Sequence, residues 1–86
     1  MTKLVIVGNP TEPFFNLYIF EEDKKVETIE TNINNIQDIF QRLMKKYNIV
    51  EINIAGSHSY MSGIAHLIEG SDCFHYSSHR AIIKYI

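Results

Sequence analysis

The sequence has 86 residues, 45% hydrophobic and 21% charged, with a net charge of −2 at pH 7. That length, with no Pro/Gly/Ser-rich linker, sets one domain over residues 1–86, and the composition excludes a disordered chain. The slight acidic excess excludes a whole-domain polyanion binder. Cys73, the sole cysteine, excludes an internal disulfide framework and fits a reducing, cytoplasmic setting. The apolar run in MTKLVIVG is too short for a signal h-region or a membrane span, so no membrane association is expected. A chain this short buries a modest core, and a homodimer would enlarge it.

Lys3 to Val7 is a nearly unbroken β-branched run, which predicts a central strand buried on both faces. Gly8-Asn9-Pro10-Thr11 ends it, and Pro10 and Pro13 keep the connection irregular. Phe14 to Phe20 predicts a second strand with Phe15, Leu17 and Ile19 on one face and Phe14, Asn16, Tyr18 and Phe20 on the other. The polar run Glu21 to Lys24 predicts a hairpin tip, leading to a polar edge strand over Lys25 to Thr31. Asn34, with Gln37 three residues on, resembles a capping box opening a helix. Its apolar face is Ile36, Ile39, Phe40, Leu43 and Tyr47, and Lys45 and Lys46 suit the negative end of the helix dipole.

The stretch from Ile49 to Glu69 organises the rest. A strand over Ile49 to Ala55, with Val50, Ile52 and Ile54 sharing a face, runs through Gly56-Ser57-His58-Ser59 into a helix. Ser57 or Ser59 would cap that helix, Tyr60, Met61, Ile64, Ala65 and Ile68 would be buried, and Gly70 would end it. A strand end meeting a helix N-terminus is where α/β proteins place their chemistry. Beyond it, Asp72 to Ser77 and Ala81 to Ile86 alternate as strands around a turn at Ser77 to Arg80. The expected class is α/β, a mixed sheet of about five strands in the order β-β-β-α-β-α-β, with a further strand if both tail segments pair. The strand after the first helix should lie parallel to another strand. If that neighbour is the first strand, Gly8–Thr11 and Gly56–Ser59 end side by side.

Two segments carry a family resemblance, VIVGNPTEPFFNLYIF and INIAGSHSYMSGIAHLIEG. In element order they resemble the ribonuclease H-like fold, and within it the RuvC-type Holliday-junction resolvases. The resemblance implies a minimal version of that fold with Asn9-Pro10 in place of the family's Asp-Pro. Ala55 and Gly56 stand where the family has a catalytic Glu, and the sequence stops short of the acidic C-terminal helix. Family members hold two divalent ions with carboxylates that clamp the attacking and leaving oxygens. A neutral Asn9 and the missing Glu imply a degenerate, RuvC-like site without that chemistry.

Other groupings have a plainer reading beside the functional one. Gly56 to Ser59 offers backbone N–H groups and hydroxyls to an anion, or simply caps a helix. It lacks the last glycine of a nucleophile elbow, because Tyr60 stands there, and no acid is locally placed to orient His58 as a base for Ser59. Cys73, His75 and His79, with His58 or His66, supply zinc-type ligands at a spacing that matches no standard motif; edge histidines and a buried thiol are the plainer reading. Arg80 and Lys84 with Tyr76 and Tyr85 form either a strip for single-stranded nucleic acid or a solvated sheet face. Phe14, Tyr18 and Phe20 form a partner surface if helices cover only one side of the sheet, and core otherwise.

The leading expectation is a non-catalytic protein-interaction module without a cofactor, binding a partner protein or itself as a homodimer. In type it is similar to small accessory proteins of phages and mobile elements. The alternative is a nuclease-dead nucleic-acid binder using Asn9, Thr11, Ser57, His58 and Ser59 with Arg80 and Lys84. A third is a residual metal-dependent nuclease or phosphatase using His58, Asp72 and His75.

Overall fold

The computed structural model describes residues 1–8, 14–55, 58–69 and 82–85, with the side chains of 58–62, 69, 82 and 85 left out. The elements are β1 (Thr2–Gly8), β2 (Phe14–Glu21), β3 (Lys24–Asn32), α1 (Ile36–Lys46), β4 (Ile49–Ala55), α2 (His58–Glu69) and β5 (Ile82–Tyr85). The strands form one mixed sheet in the order β3-β2-β1-β4-β5. β2 runs antiparallel to both β1 and β3, while β4 is parallel to β1 and to β5. Short links make antiparallel neighbours; α1 and α2 supply the length a parallel return needs. The expected strand over 72–77 and Gly70 lie outside the described residues.

The β2–β3 link is a two-residue turn at Glu22 and Asp23, whose φ values are 49° and 66°. Positive φ at both central positions is the requirement of a type I′ turn, whose twist matches that of the flanking strands. Neither residue is glycine, so the hairpin closes against a small local penalty.

Alternation divides the sheet into two unlike faces. Leu4, Ile6, Phe15, Leu17, Ile19, Ile52 and Ile54 are at most 1% exposed. In register, Leu4 lies between Ile19 and Ile52, and Ile6 between Leu17 and Ile54, so adjacent rows build one apolar layer. Both helices cover that layer, α1 over β3 and α2 over β4, in contact with each other. Ile36, Phe40 and Leu43 on α1 and Ile64, Ala65 and Ile68 on α2 complete the core. Each buried leucine, isoleucine or phenylalanine among them contributes about 1.5–3 kcal/mol.

Among the described residues no helix covers the other face. β1 is therefore not buried on both sides as its composition predicts: Val5 is half-buried and Val7 is 39% exposed. Two further corrections have local causes. A register shift between Thr2 and Lys3 leaves Val50 unopposed, so Ile49 rather than Val50 joins Ile52 and Ile54 in the core. The helix cap is displaced as well. α1 has Asn35 at its N-cap with no side-chain bond, while the Asn32 side chain accepts from the Asn34 N–H at 3.0 Å. Gln37 makes no capping box; its Nε2 donates to the Leu67 carbonyl of α2 at 3.0 Å. Ile36, fully buried, fixes where the first turn begins.

Candidate functional site

β1 and β4 are parallel neighbours with Val7 opposite Ala55, so both strands end at the same edge of the sheet. This is the adjacency expected for the loops after strands one and four. Of the residues assigned there, Asn9, Thr11 and Ser57 lie outside the described residues, and Ala55 is the last residue of β4. His58 opens α2, which puts Ser59 inside the first turn and not at the cap. Asp72, Cys73, His75, His79 and Arg80 also lie outside the described residues. Among the described residues no three His, Cys, Asp or Glu side chains are grouped to hold a metal ion. His66 is exposed on α2, as its helical position predicts.

The described part of the site is the uncovered sheet face. Phe14, Asn16, Tyr18 and Phe20 project there from β2, as the alternation predicts, because their neighbours fill the core. Phe14 is 46% exposed at one end; Tyr18 and Phe20 are half-buried. Across the strand pair Tyr18 faces Val5, Asn16 faces Val7 and Phe20 faces Lys3. Lys25 sets its ammonium 5.4 Å from the Tyr18 ring centroid, a cation–π distance, so that ring already has a partner. Phe14 and Val7, 46% and 39% exposed, are the most open apolar groups that β1 and β2 contribute to this face.

At the other end of this face lies a charged group that sequence reading did not single out. Glu51 of β4 takes Lys84 of β5 at 2.6 Å and Lys3 of β1 at 3.6 Å, and accepts a hydrogen bond from Asn53 Nδ2 at 3.1 Å. The Lys84 hydrogen bond, then that of Asn53, holds the Glu51 carboxyl down at about 2. The alternation of Glu51 with Ile52 puts the carboxylate on the open face, and the register of β1 on β4 sets Lys3 opposite it. Lys84 is also a residue that the sequence offers to a strip for single-stranded nucleic acid. Its ammonium, on a side chain 55% exposed, already pairs with Glu51, so a phosphate reaching it would compete with that carboxylate for the same charge.

The folded pKa of Glu51 lies below the ordinary value of 4.5, so its contribution to stability is present above that pH and lost as pH falls toward about 2. Glu51→Gln is expected to lower the thermal midpoint at pH 7, with the gap to the parent chain closing between pH 4.5 and about 2. A gap that stays constant across that range would show that the cluster is not linked to folding.

A second cluster sits on the covered side. Glu27 of β3 accepts hydrogen bonds from the Tyr47 hydroxyl and from Lys46 Nζ, the latter at 3.1 Å. Those two donors lower the Glu27 pKa, the tyrosine contributing more, and the shared carboxylate raises that of Tyr47. Lys46 thus does more than meet the helix dipole: it ties the last turn of α1 to β3.

Compared with protein-family models and with curated proteins, the sequence matches none. No described helix is long and apolar enough to cross a membrane.

Proposed function

We propose that this chain is a non-catalytic protein-interaction module that docks a partner protein, or a second copy of itself, on the uncovered face of its sheet. The observation that carries the reading is the one-sided placement of α1 and α2. It leaves Phe14 and Val7 46% and 39% exposed beside the half-buried Val5, Tyr18 and Phe20. Apolar groups gathered on one side of a small domain and flanked by charge form the usual anatomy of a docking surface. The Lys3–Glu51–Lys84 group supplies a charged border that would fix orientation more than it adds affinity.

We infer further that the architecture is a minimal ribonuclease H-like one with a degenerate, RuvC-like site. What supports this is the element order, the parallel β1–β4 pair at the centre of a mixed sheet, and the neutral residues in the two motif positions, Asn9 and Ala55. A cytoplasmic accessory role of the phage or mobile-element type is in keeping with that combination.

The test pairs capture with a nucleic-acid control. Val7→Asp combined with Phe14→Asp is expected to abolish partner retention, or self-association in sedimentation, while the circular dichroism spectrum is unchanged. Retention by the parent chain should survive raised salt, as apolar docking does and phosphate binding does not. The reading is overturned if the double variant binds as the parent does. It is equally overturned if the protein shifts or, with Mn²⁺, cleaves single-stranded, duplex or branched nucleic acid, which would restore the nucleic-acid or nuclease alternatives.

A further inference from the structure

β3 is an outer strand, with β2 as its one ladder partner among the described residues. In an antiparallel pair every second residue turns both its N–H and its C=O away from the partner. β3 therefore carries a row of outward backbone groups, the template on which another strand can add.

A trough lies beside that edge. A hollow of about 360 Å³ has Glu30, Thr31 and Asn32 of β3 in one wall, Asp38, Ile39 and Arg42 of α1 in the other, and Phe14 and Asn35 closing its upper end. Thr31 is buried on the helix-covered face, while Glu30 alternates to the opposite face. A wall that includes both reaches round the rim of β3, and Phe14 sets its upper end at the close of the β2–β3 pair. The hollow continues, through Ile39 and Arg42, which line both, into a crevice of about 60 Å³ between Ile29 and Leu43. Together they span Glu27 to Asn32, a length of roughly 20 Å in extended chain.

The chemistry of the trough selects an occupant. A strand laid beside β3 would point alternate side chains toward α1, over Ile29 and Ile39, and toward the open face beside Glu30. Glu27 is already matched by Lys46. Among the described residues Glu30, Asp38 and Arg42 enter no ion pair, which leaves two carboxylates against one guanidinium. A second copy of β3 paired antiparallel about Thr28 and Ile29 would set Glu27 against Glu30, a like-charge pair. The register shift at Val26 also breaks the straight run toward Lys24 and Lys25.

We propose that the trough between the β3 edge and α1 binds an extended peptide as an added strand, apolar side chains toward α1 alternating with basic side chains beside Glu30. The inference rests on the reading of the chain as an interaction module, and it places a second contact on the edge of the sheet, apart from Val7 on the open face.

The experiment is a fluorescence-anisotropy titration of the full chain with a labelled peptide of about eight residues alternating Lys and Val, a length suited to strand addition. The Lys–Val peptide is expected to bind. Replacing Lys by Glu, or methylating alternate backbone nitrogens, should weaken it by roughly tenfold or more, and so should Glu30→Lys in the protein. Val7→Asp should leave it unchanged. Equal affinity for the Lys and Glu peptides, no effect of N-methylation, or no binding at all would overturn the proposal. If the peptide fails to bind while Val7→Asp still reduces partner capture, the edge contact is wrong and the module reading stands. If neither effect is found, both fall.

Discussion

Phe40→Ala is expected to destabilise the fold by about 3–5 kcal/mol, the range for removing a fully buried phenylalanine ring. Phe40 is completely buried at the middle of α1, one turn from Ile36 and one from Leu43, where the helix lies on the sheet. An 86-residue domain holds only about 4–13 kcal/mol in total, so the loss takes a quarter of that stability or more. Urea titration followed by circular dichroism measures the loss, and the midpoint should fall with the slope unchanged. A loss under about 1 kcal/mol would mean that α1 does not pack on the sheet as described.

Neighbouring substitutions on β2 should differ more sharply still. Ile19→Asp places a carboxylate in a fully buried position with Leu4 beside it, where an unpaired charge costs several kcal/mol, and no folded protein is expected. Phe20→Asp, one residue along, turns its carboxylate to the uncovered face opposite Lys3 and Lys25 and should fold with a cooperative transition. The pair tests the one-sided covering on which the proposed function depends. If both variants unfold, the second face is core and no docking surface exists there; if both fold, the described core is wrong.

Much of this architecture was legible in the order of residues. The alternation of FFNLYIF placed Phe15, Leu17 and Ile19 inside because a two-residue period leaves no choice once one face is buried. The spacing of Ile36, Phe40 and Leu43 did the same for α1. Where local reading failed, a nonlocal fact decided. KLVIV reads as buried on both faces, and only the position of α1 and α2 on the same side exposes Val7. The unopposed Val50 depends on how β4 meets Thr2 and Lys3, which no window along β4 contains. Gln37 looks like part of a capping box until α2 presents the Leu67 carbonyl. The Lys3–Glu51–Lys84 group joins three strands distant in sequence, so it becomes visible only once their register is known. Asn9, Thr11, Ser57 and Arg80 lie outside the described residues.

The mixed order of the sheet also sets the sequence in which its parts can assemble. β2 and β3 are joined by two residues, so their pairing closes almost no loop and can form on the microsecond scale typical of hairpins. The central β1–β4 pair instead brings Thr2 to Ile49 and Val7 to Ala55, more than half the chain apart, and that closure must be completed before its contacts reward it. The middle of the sheet is thus expected to close after the hairpin that carries the β3 edge, with low φ-values in β1–β4 and higher ones in β2–β3. In a nascent or refolding chain, that edge is exposed while the layer of Leu4, Ile6, Ile52 and Ile54 is still unformed. The rate of folding is then set by the centre, and the risk of mispairing by the rim.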